Sequence, residues 1–205
     1  VEVVGPLVAG HELRGFVAPT AQGESGELDL IDPADPLDTP VVVIFCNRGG
    51  SAYLEVLRLL GAKHPRVPAL FIAYNDPELV EAARSLEREA RPRRWVLVSR
   101  LSQEAYFRTI RQAGDRPAIL ISKAGPNTVM EALTFGFSPL VLDSGLPMEE
   151  WVSAWLVEHG LGLAAPEMST LTRELDHLLA DPDRLAALKR SVLHFRDDSI
   201  DPART

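Results

Sequence analysis

The stretch from Ile119 to Leu133, ILISKAGPNTVMEAL, constrains this chain more than any other. Ile119, Leu120 and Ile121 form a continuous apolar run, the pattern of a strand buried on both faces of a parallel sheet. The run breaks at a small-residue turn containing Gly125. Pro126 follows, and its fixed φ and missing N–H suit the first position of a helix. Val129, Ala132, Leu133 and Gly136 then recur at helical spacing. Strand, glycine turn and helix start in this order leave free backbone N–H groups and the positive end of a helix dipole together. That setting attracts phosphate.

The same alternation runs along the rest of the chain. Val41–Cys46, Pro68–Ala73, Trp95–Val98, Ala118–Ser122, Pro139–Leu142 and Leu161–Ala164 read as strands. Leu54, Leu57 and Leu60 share one stripe of a helix. Asp76-Pro77 opens another that runs to about Ala90, since aspartate is a good N-cap and proline a good next residue. Ser102 starts a helix to about Ala113. Trp151, Val152, Trp155, Leu156 and His159 share a helix face, and two helices close the chain, from about Thr170 and from Asp181-Pro182. The pattern predicts an α/β fold: a doubly wound, mainly parallel sheet of about six strands flanked by helices. In such sheets ligands bind outside the carboxyl ends of the strands. The turns after Cys46, Val98, Ser122 and Asp143 all open on that edge.

Composition excludes several function classes. With 205 residues, 46% of them apolar, the chain is long enough for one α/β domain with a full core. Its net charge of -8 argues against a nucleic-acid-binding surface, which is usually basic. A single cysteine, Cys46, makes no internal disulfide and points to a reducing, cytoplasmic compartment. No apolar run in the sequence is long enough to span a bilayer, and neither a signal peptide nor a metal-ligand cluster is expected. The chain begins at Val1 rather than methionine, and the expectation is a piece of something longer. Residues 24 to 38 hold six acidic residues and no basic one, broken by Pro33 and Pro36. They read as a solvated loop, which divides the chain into a linker over 1–40 and a domain over 41–205.

Two readings of the central helix start stand on the residues alone. Thr128 and Glu131 have the spacing of a capping box. The same side chains, with Asn127, can instead hold a ligand beside Gly125, where a glycine permits close backbone approach. No Walker A pattern is present, so Lys123 is not a P-loop lysine.

The segment Ser-Lys-Ala-Gly-Pro-Asn-Thr-Val-Met-Glu-Ala-Leu resembles the signature loop of GT-B glycosyltransferases of the family 28 type. These include glycolipid synthases and the N-acetylglucosaminyltransferase that makes lipid II. The resemblance runs, with gaps, from about Val41 to Leu179. It implies one Rossmann-like half of a GT-B fold, the C-terminal domain that holds a UDP-sugar as donor substrate. It implies diphosphate at Gly125, Pro126, Asn127 and Thr128, and both ribose hydroxyls on Glu131. It implies the base edge at the backbone of Val98, and a second phosphate-facing loop at Asn47–Ser51, where Gly49, Gly50 and Ser51 donate N–H groups and Arg48 pairs with phosphate. Glu149 and Glu150 match the acidic positions that contact donor-sugar hydroxyls. Met148 and Val152 stand where related synthases carry a glutamine and an asparagine.

The resemblance therefore implies the donor-binding half of a glycosyltransferase, moving a sugar from a nucleotide, UDP in the first instance, to an acceptor that includes lipids among its candidates. The chain alone is expected to be inactive without an N-terminal acceptor domain, supplied in cis or in trans, which also carries any peripheral membrane association. No catalytic base is assignable, and no cofactor beyond the donor is expected. Three alternatives stay open: a non-catalytic nucleotide-sugar-binding subunit of a two-chain transferase, a sugar-nucleotide epimerase, and a degenerate domain kept for protein interaction.

Overall fold

The computed structural model describes residues 30–199 apart from positions 33, 47–49, 74, 93 and 100. Six strands form one sheet: β1 (Val41–Phe45), β2 (Ala69–Ile72), β3 (Trp95–Val98), β4 (Ala118–Lys123), β5 (Ser138–Leu142) and β6 (Leu163–Ala165). Every neighbouring pair is parallel, in the order β3-β2-β1-β4-β5-β6. Seven helices alternate with them: α1 (Leu54–Lys63), α2 (Pro77–Ala90), α3 (Gln103–Gly114), α4 (Pro126–Thr134), α5 (Pro147–Glu158), α6 (Met168–Ala180) and α7 (Pro182–Ser199). A 3-10 turn, Gly50–Tyr53, leads into α1.

The strands are apolar throughout because helices cover both faces. Val42, Ile44 and Cys46 look to one face, against α1, α2 and α6. Val41 and Val43 look to the other, where Ile110 and Ala113 of α3 and Ala132 of α4 meet them. Val129 and Leu133 of α4 continue that face against Val152 and Leu156 of α5 and Val192 of α7. Two helix starts follow from their caps: Asp76 accepts from the Leu79 N–H at 2.9 Å, and Ser102 from the Ala105 N–H at 3.2 Å.

The strand order places a topological switch point between β1 and β4. From β1 the chain winds outward through β2 and β3, then returns to β4 and winds the opposite way. At the carboxyl edge the two crossovers leaving β1 and β4 diverge and open a crevice, the usual ligand position in such sheets.

The amino edge departs from the sequence reading. Of the acidic segment, residues 24–29 lie outside the described residues, as do 1–23 before it, but Leu30 is 1% exposed and Asp35 5% exposed. Arg116 reaches this segment, its Nη1 donating to the Pro36 carbonyl at 2.6 Å and its Nη2 to the Asp35 carbonyl at 3.2 Å. Arg94 pairs with Asp32 at 3.0 Å and Asp35 at 3.6 Å. The segment packs onto the domain because cations from distant sequence neutralise it. Among the described residues no helix is long and apolar enough to cross a membrane.

Candidate functional site

The last residues of β1 divide the carboxyl edge into two polar corners. Phe45 lies on one face, its ring 6.3 Å from Tyr106 of α3. Cys46 is buried on the other, among the same cluster as Tyr53 of the 3-10 turn. Between the corners sits the N-terminus of α4, brought there by β4.

Helix α4 starts one turn earlier than the capping-box reading requires. Gly125 is the N-cap and Pro126 the first helical residue, with no side-chain cap and no acidic residue in the first turn. Thr128 is inside the helix, so Thr128 and Glu131 do not cap it. The other helix starts on this edge differ: α2 and α3 are capped by side chains, α1 carries Glu55 and α5 Glu149 and Glu150 in their first turns, and α6 has Glu167 at its N-cap. Of the six, α4 alone has neither a side-chain cap nor an acidic residue at its N-cap or in its first turn, the condition that favours an anion.

The glycine at 125 is not demanded by the fold. Its φ is -66°, open to any residue. A Cβ built there meets only the Thr128 Oγ1 at 3.7 Å, an ordinary contact. The space it leaves faces outward, next to exposed Pro126 and Asn127 and half-buried Thr128. Gly50 is the opposite case: a Cβ there would come within 2.8 Å of Leu79 Cδ2 and 2.9 Å of Cys46 Cβ, so packing explains it. Ser51 beside it is exposed, while Arg48 and Gly49 lie outside the described residues.

Glu131 projects from the second turn of α4. Its Oε1 is shut off from solvent and has no hydrogen-bond partner. Burial raises its pKa above the usual carboxylate value, and a hydrogen bond from the Tyr106 hydroxyl opposes that rise. Tyr106 in turn is pushed up, first by burial and then by the Glu131 charge. In the other corner, Glu149 Oε2 and the Tyr53 hydroxyl are likewise closed off without partners. Burial, then Cys46, then the Glu149 charge raise the Tyr53 phenol. Burial and Asp76 raise the Cys46 thiol, which leaves it inert as a nucleophile. Buried polar atoms without partners are rare in folded proteins, and those near a cleft mark places that a ligand or water completes.

The remaining expected residues fall around these corners. Val98 ends β3, but its carbonyl already accepts from the Ala73 N–H at 2.9 Å, and that of Ser99 from the Asn75 N–H at 2.7 Å. A base edge at this position meets second lone pairs or the chain beyond. Glu150 is exposed. Asp143 is anchored to Ser153 at 2.5 Å and steadies the loop before α5. Val152 is 3% exposed and belongs to the core, while Met148, 63% exposed, faces outward. Tyr53 and Tyr106 were not legible as site residues, because each is a lone aromatic on a helical turn and only the sheet edge brings it to a carboxylate. No described group of three His, Cys, Asp or Glu side chains is placed to hold a metal ion.

No protein-family model matches this chain, and no curated protein matches it. Solved structures do. MurG from Acinetobacter baumannii superposes with a TM-score of 0.62 at 16% identity, over 83% of this chain and 48% of its own. Os79 from O. sativa, solved in complex with UDP, gives 0.59 at 15% identity, over 81% of this chain and 37% of its own. The glycosyltransferase VinC, in complex with dTDP, gives 0.53 at 18% identity, over 82% and 39%. The chain thus spans about half the length of these structures, or less. Likeness at such identities is likeness of fold, and the fold is that of the Rossmann-like, C-terminal domain of the GT-B glycosyltransferases.

Proposed function

We propose that this chain is the donor-binding half of a glycosyltransferase and takes a nucleoside diphosphate sugar, UDP-linked in the first instance, at the start of α4. The observation that carries the reading is the pairing of an uncapped, glycine-led helix N-terminus with a glutamate whose Oε1 lacks a partner. The diphosphate lies against the N–H groups of Gly125–Thr128, where the helix dipole stabilises the charge that builds on the departing nucleotide. Glu131 accepts from the ribose hydroxyls, since one carboxylate can accept several hydrogen bonds. Val98 borders the base, Gly50 and Ser51 border the phosphates from the β1 side, and Glu149 and Glu150 contact the donor sugar. Leu146, Met148 and Trp151, 56%, 63% and 63% exposed beside those glutamates, support an acceptor or partner with an apolar body. The acceptor domain comes in cis or in trans, and this chain alone binds the nucleotide without transferring sugar.

Calorimetric titration with UDP tests the reading. Wild type should bind in roughly the 10 µM to 1 mM range, as expected for half of a cleft. Glu131→Gln should weaken binding about tenfold or more, the size of a lost charge-assisted hydrogen bond, with little change in melting. A 2′,3′-dideoxy nucleotide should bind wild type poorly and lose little more in the mutant. Equal losses for both ligands would remove Glu131 from the ribose, and silence with UDP at millimolar concentration would end the nucleotide reading.

A further inference from the structure

Helices α4 and α5 start side by side. Their strands β4 and β5 pair in parallel with Lys123 beside Leu142, and each helix follows the carboxyl end of its own strand. Below that edge the helices pack directly, Val129 and Leu133 of α4 against Val152 and Leu156 of α5. Helices packed in this way lie about 8–10 Å apart, axis to axis. Residues four apart share a helix flank. Gly125 therefore stands one turn above Val129, and Met148 one turn above Val152, both on the carboxyl edge. They are matching positions on the two walls of one groove, glycine on the α4 wall and methionine on the α5 wall.

Glu149 precedes Val152 by three residues and Leu156 by seven, so it continues the stripe that α5 turns to the core. It forms the floor of the groove, and its Oε2 is closed off without a partner. Glu150 is rotated onto the other flank and is exposed. In the loop before α5, Asp143 Oδ1 accepts from the Ser153 hydroxyl at 2.5 Å, and the Ser144 hydroxyl accepts from the Leu146 N–H at 3.4 Å, so both side chains are engaged locally. The α5 wall itself is apolar: Met148 is 63% exposed and Leu146, at the rim, 56% exposed. Trp151 is turned farther round the helix, onto its outer face. A methionine is flexible and polarizable, and it adapts to an apolar partner better than to a hydroxyl.

Resting on the nucleotide-sugar reading of α4, we propose that Met148 selects the donor sugar and that this sugar is a 6-deoxyhexose. The sugar hangs from the diphosphate into the groove. A pair of hydroxyls on neighbouring ring carbons suits the Glu149 carboxylate, which can accept from both. With C3 and C4 carrying that pair, C6 hangs from the next ring carbon and reaches the α5 wall. As a methyl group it is withdrawn from water against the Met148 side chain. As a hydroxymethyl group it sets a hydroxyl beside a thioether, a weak acceptor, and a hydroxyl taken from water without a good partner is costly.

Calorimetric titration of wild type, Met148→Gln and Glu149→Gln with UDP, UDP-glucose and UDP-6-deoxyglucose tests the proposal. The two sugar nucleotides differ by a single hydroxyl. Wild type should bind UDP-6-deoxyglucose about threefold or more tighter than UDP-glucose, the size of one methyl group withdrawn from water. Met148→Gln supplies an amide for the C6 hydroxyl, so it should erase or invert that preference while UDP affinity stays the same. Glutamine and methionine have similar helix propensities, and the position is exposed, so melting should not move. Glu149→Gln should bring both sugar nucleotides down towards the affinity of UDP alone, with UDP itself bound no more weakly, a pattern that general loosening of the fold does not produce. Wild type that binds the two sugar nucleotides equally, prefers UDP-glucose, or holds neither better than UDP overturns the proposal and leaves the nucleotide reading standing. So does an undiminished preference in Met148→Gln. Absence of heat with UDP at millimolar concentration overturns the nucleotide reading and the proposal with it.

Discussion

At the amino edge of the sheet, Arg116 is 5% exposed yet donates to the carbonyls of Pro36 and Asp35, and Arg94 meets both Asp32 and Asp35. Lys189 of α7 belongs to the same edge, where its Nζ donates to the carbonyls of Gly114 and Gly136, the chain ends of α3 and α4. At the carboxyl edge the buried charges are negative, and among the described residues neither Glu131 nor Glu149 has a cation partner. One edge meets its charges from within the chain, although among the described residues the Trp95 N–H and the Ser138 hydroxyl there have no hydrogen-bond partner. The other holds two carboxylates that no described cation meets. Because an unpaired charge is costlier to bury than a neutral polar atom, the difference in charge pairing favours the first edge as scaffold and the second as site.

The largest effect that tests this contrast belongs to the amino edge. Arg116→Met strands several carbonyls and removes the neutralising charge from the acidic segment. It should destabilise by about 3 kcal/mol, a fall in melting temperature of about 10 °C for a domain of this size, with UDP affinity unchanged. Loss of UDP affinity without a melting change would erase the distinction between the edges. Next comes Gly125→Val. The backbone there suits any residue and the Cβ makes only an ordinary contact with Thr128, so melting should barely move while UDP affinity falls about tenfold or more as the branched side chain fills the phosphate position. The opposite pattern, a large melting loss with intact affinity, would make that glycine structural. Tyr53→Phe sharpens the comparison from the other side. Deleting a hydroxyl that has no partner should raise the melting temperature of the ligand-free protein by about 2–4 °C, the equivalent of about 1 kcal/mol. A fall would show that the hydroxyl is satisfied in solution.

The smallest effect is a pH dependence. Burial, reinforced by Arg196, lowers the Lys189 amine from 10.5 to about 8, with Asp115 opposing. The unfolded chain therefore binds more protons than the folded one between those values, and stability gains from this group as pH rises from about 8 towards 10.5. Urea unfolding of wild type and Lys189→Met at both ends of that window should show the gain in wild type only. The difference should be modest, since the group is partly exposed and screened.

The fold was legible because a parallel sheet covered on both faces forces each strand into an unbroken apolar run. The runs at Val41, Ala69, Trp95, Ala118, Ser138 and Leu163 all became strands, with ends shifted by a residue or two. The turn at Gly125 was legible for the same reason: it follows a strand in register. The errors share a different cause. Thr128 and Glu131 are spaced like a cap, but only the actual helix start at Pro126 shows that they are not one. Val152 stands where related synthases carry an asparagine, and its burial was not legible because only the helical turn from Pro147 carries it inward to Val129 and Leu133. Ala34, Pro36, Leu37 and Asp38 are exposed as read, but the burial of Leu30 and Asp35 was not legible, because the arginines that reach the segment, Arg94 and Arg116, lie far along the chain.

The strand order has a consequence for how this protein folds. β1, β2 and β3 are consecutive in sequence, as are β4, β5 and β6, so each half can form from near-neighbour contacts. The halves join along a seam where β1 lies against β4, with Val41 beside Ala118, and where α6 packs on α1 and Asp176 pairs with Lys63 and His64. Contacts between such distant residues form late, after the chain between them has been ordered. The crevice at that seam therefore exists only once both halves have met. On the proposed reading, a nucleotide bound there would recognise the finished molecule and not the separate halves, and would shift the equilibrium toward completion by mass action. Refolding yield in the presence of UDP should then rise with the concentration of nucleotide, as for a clamp on the last step of assembly.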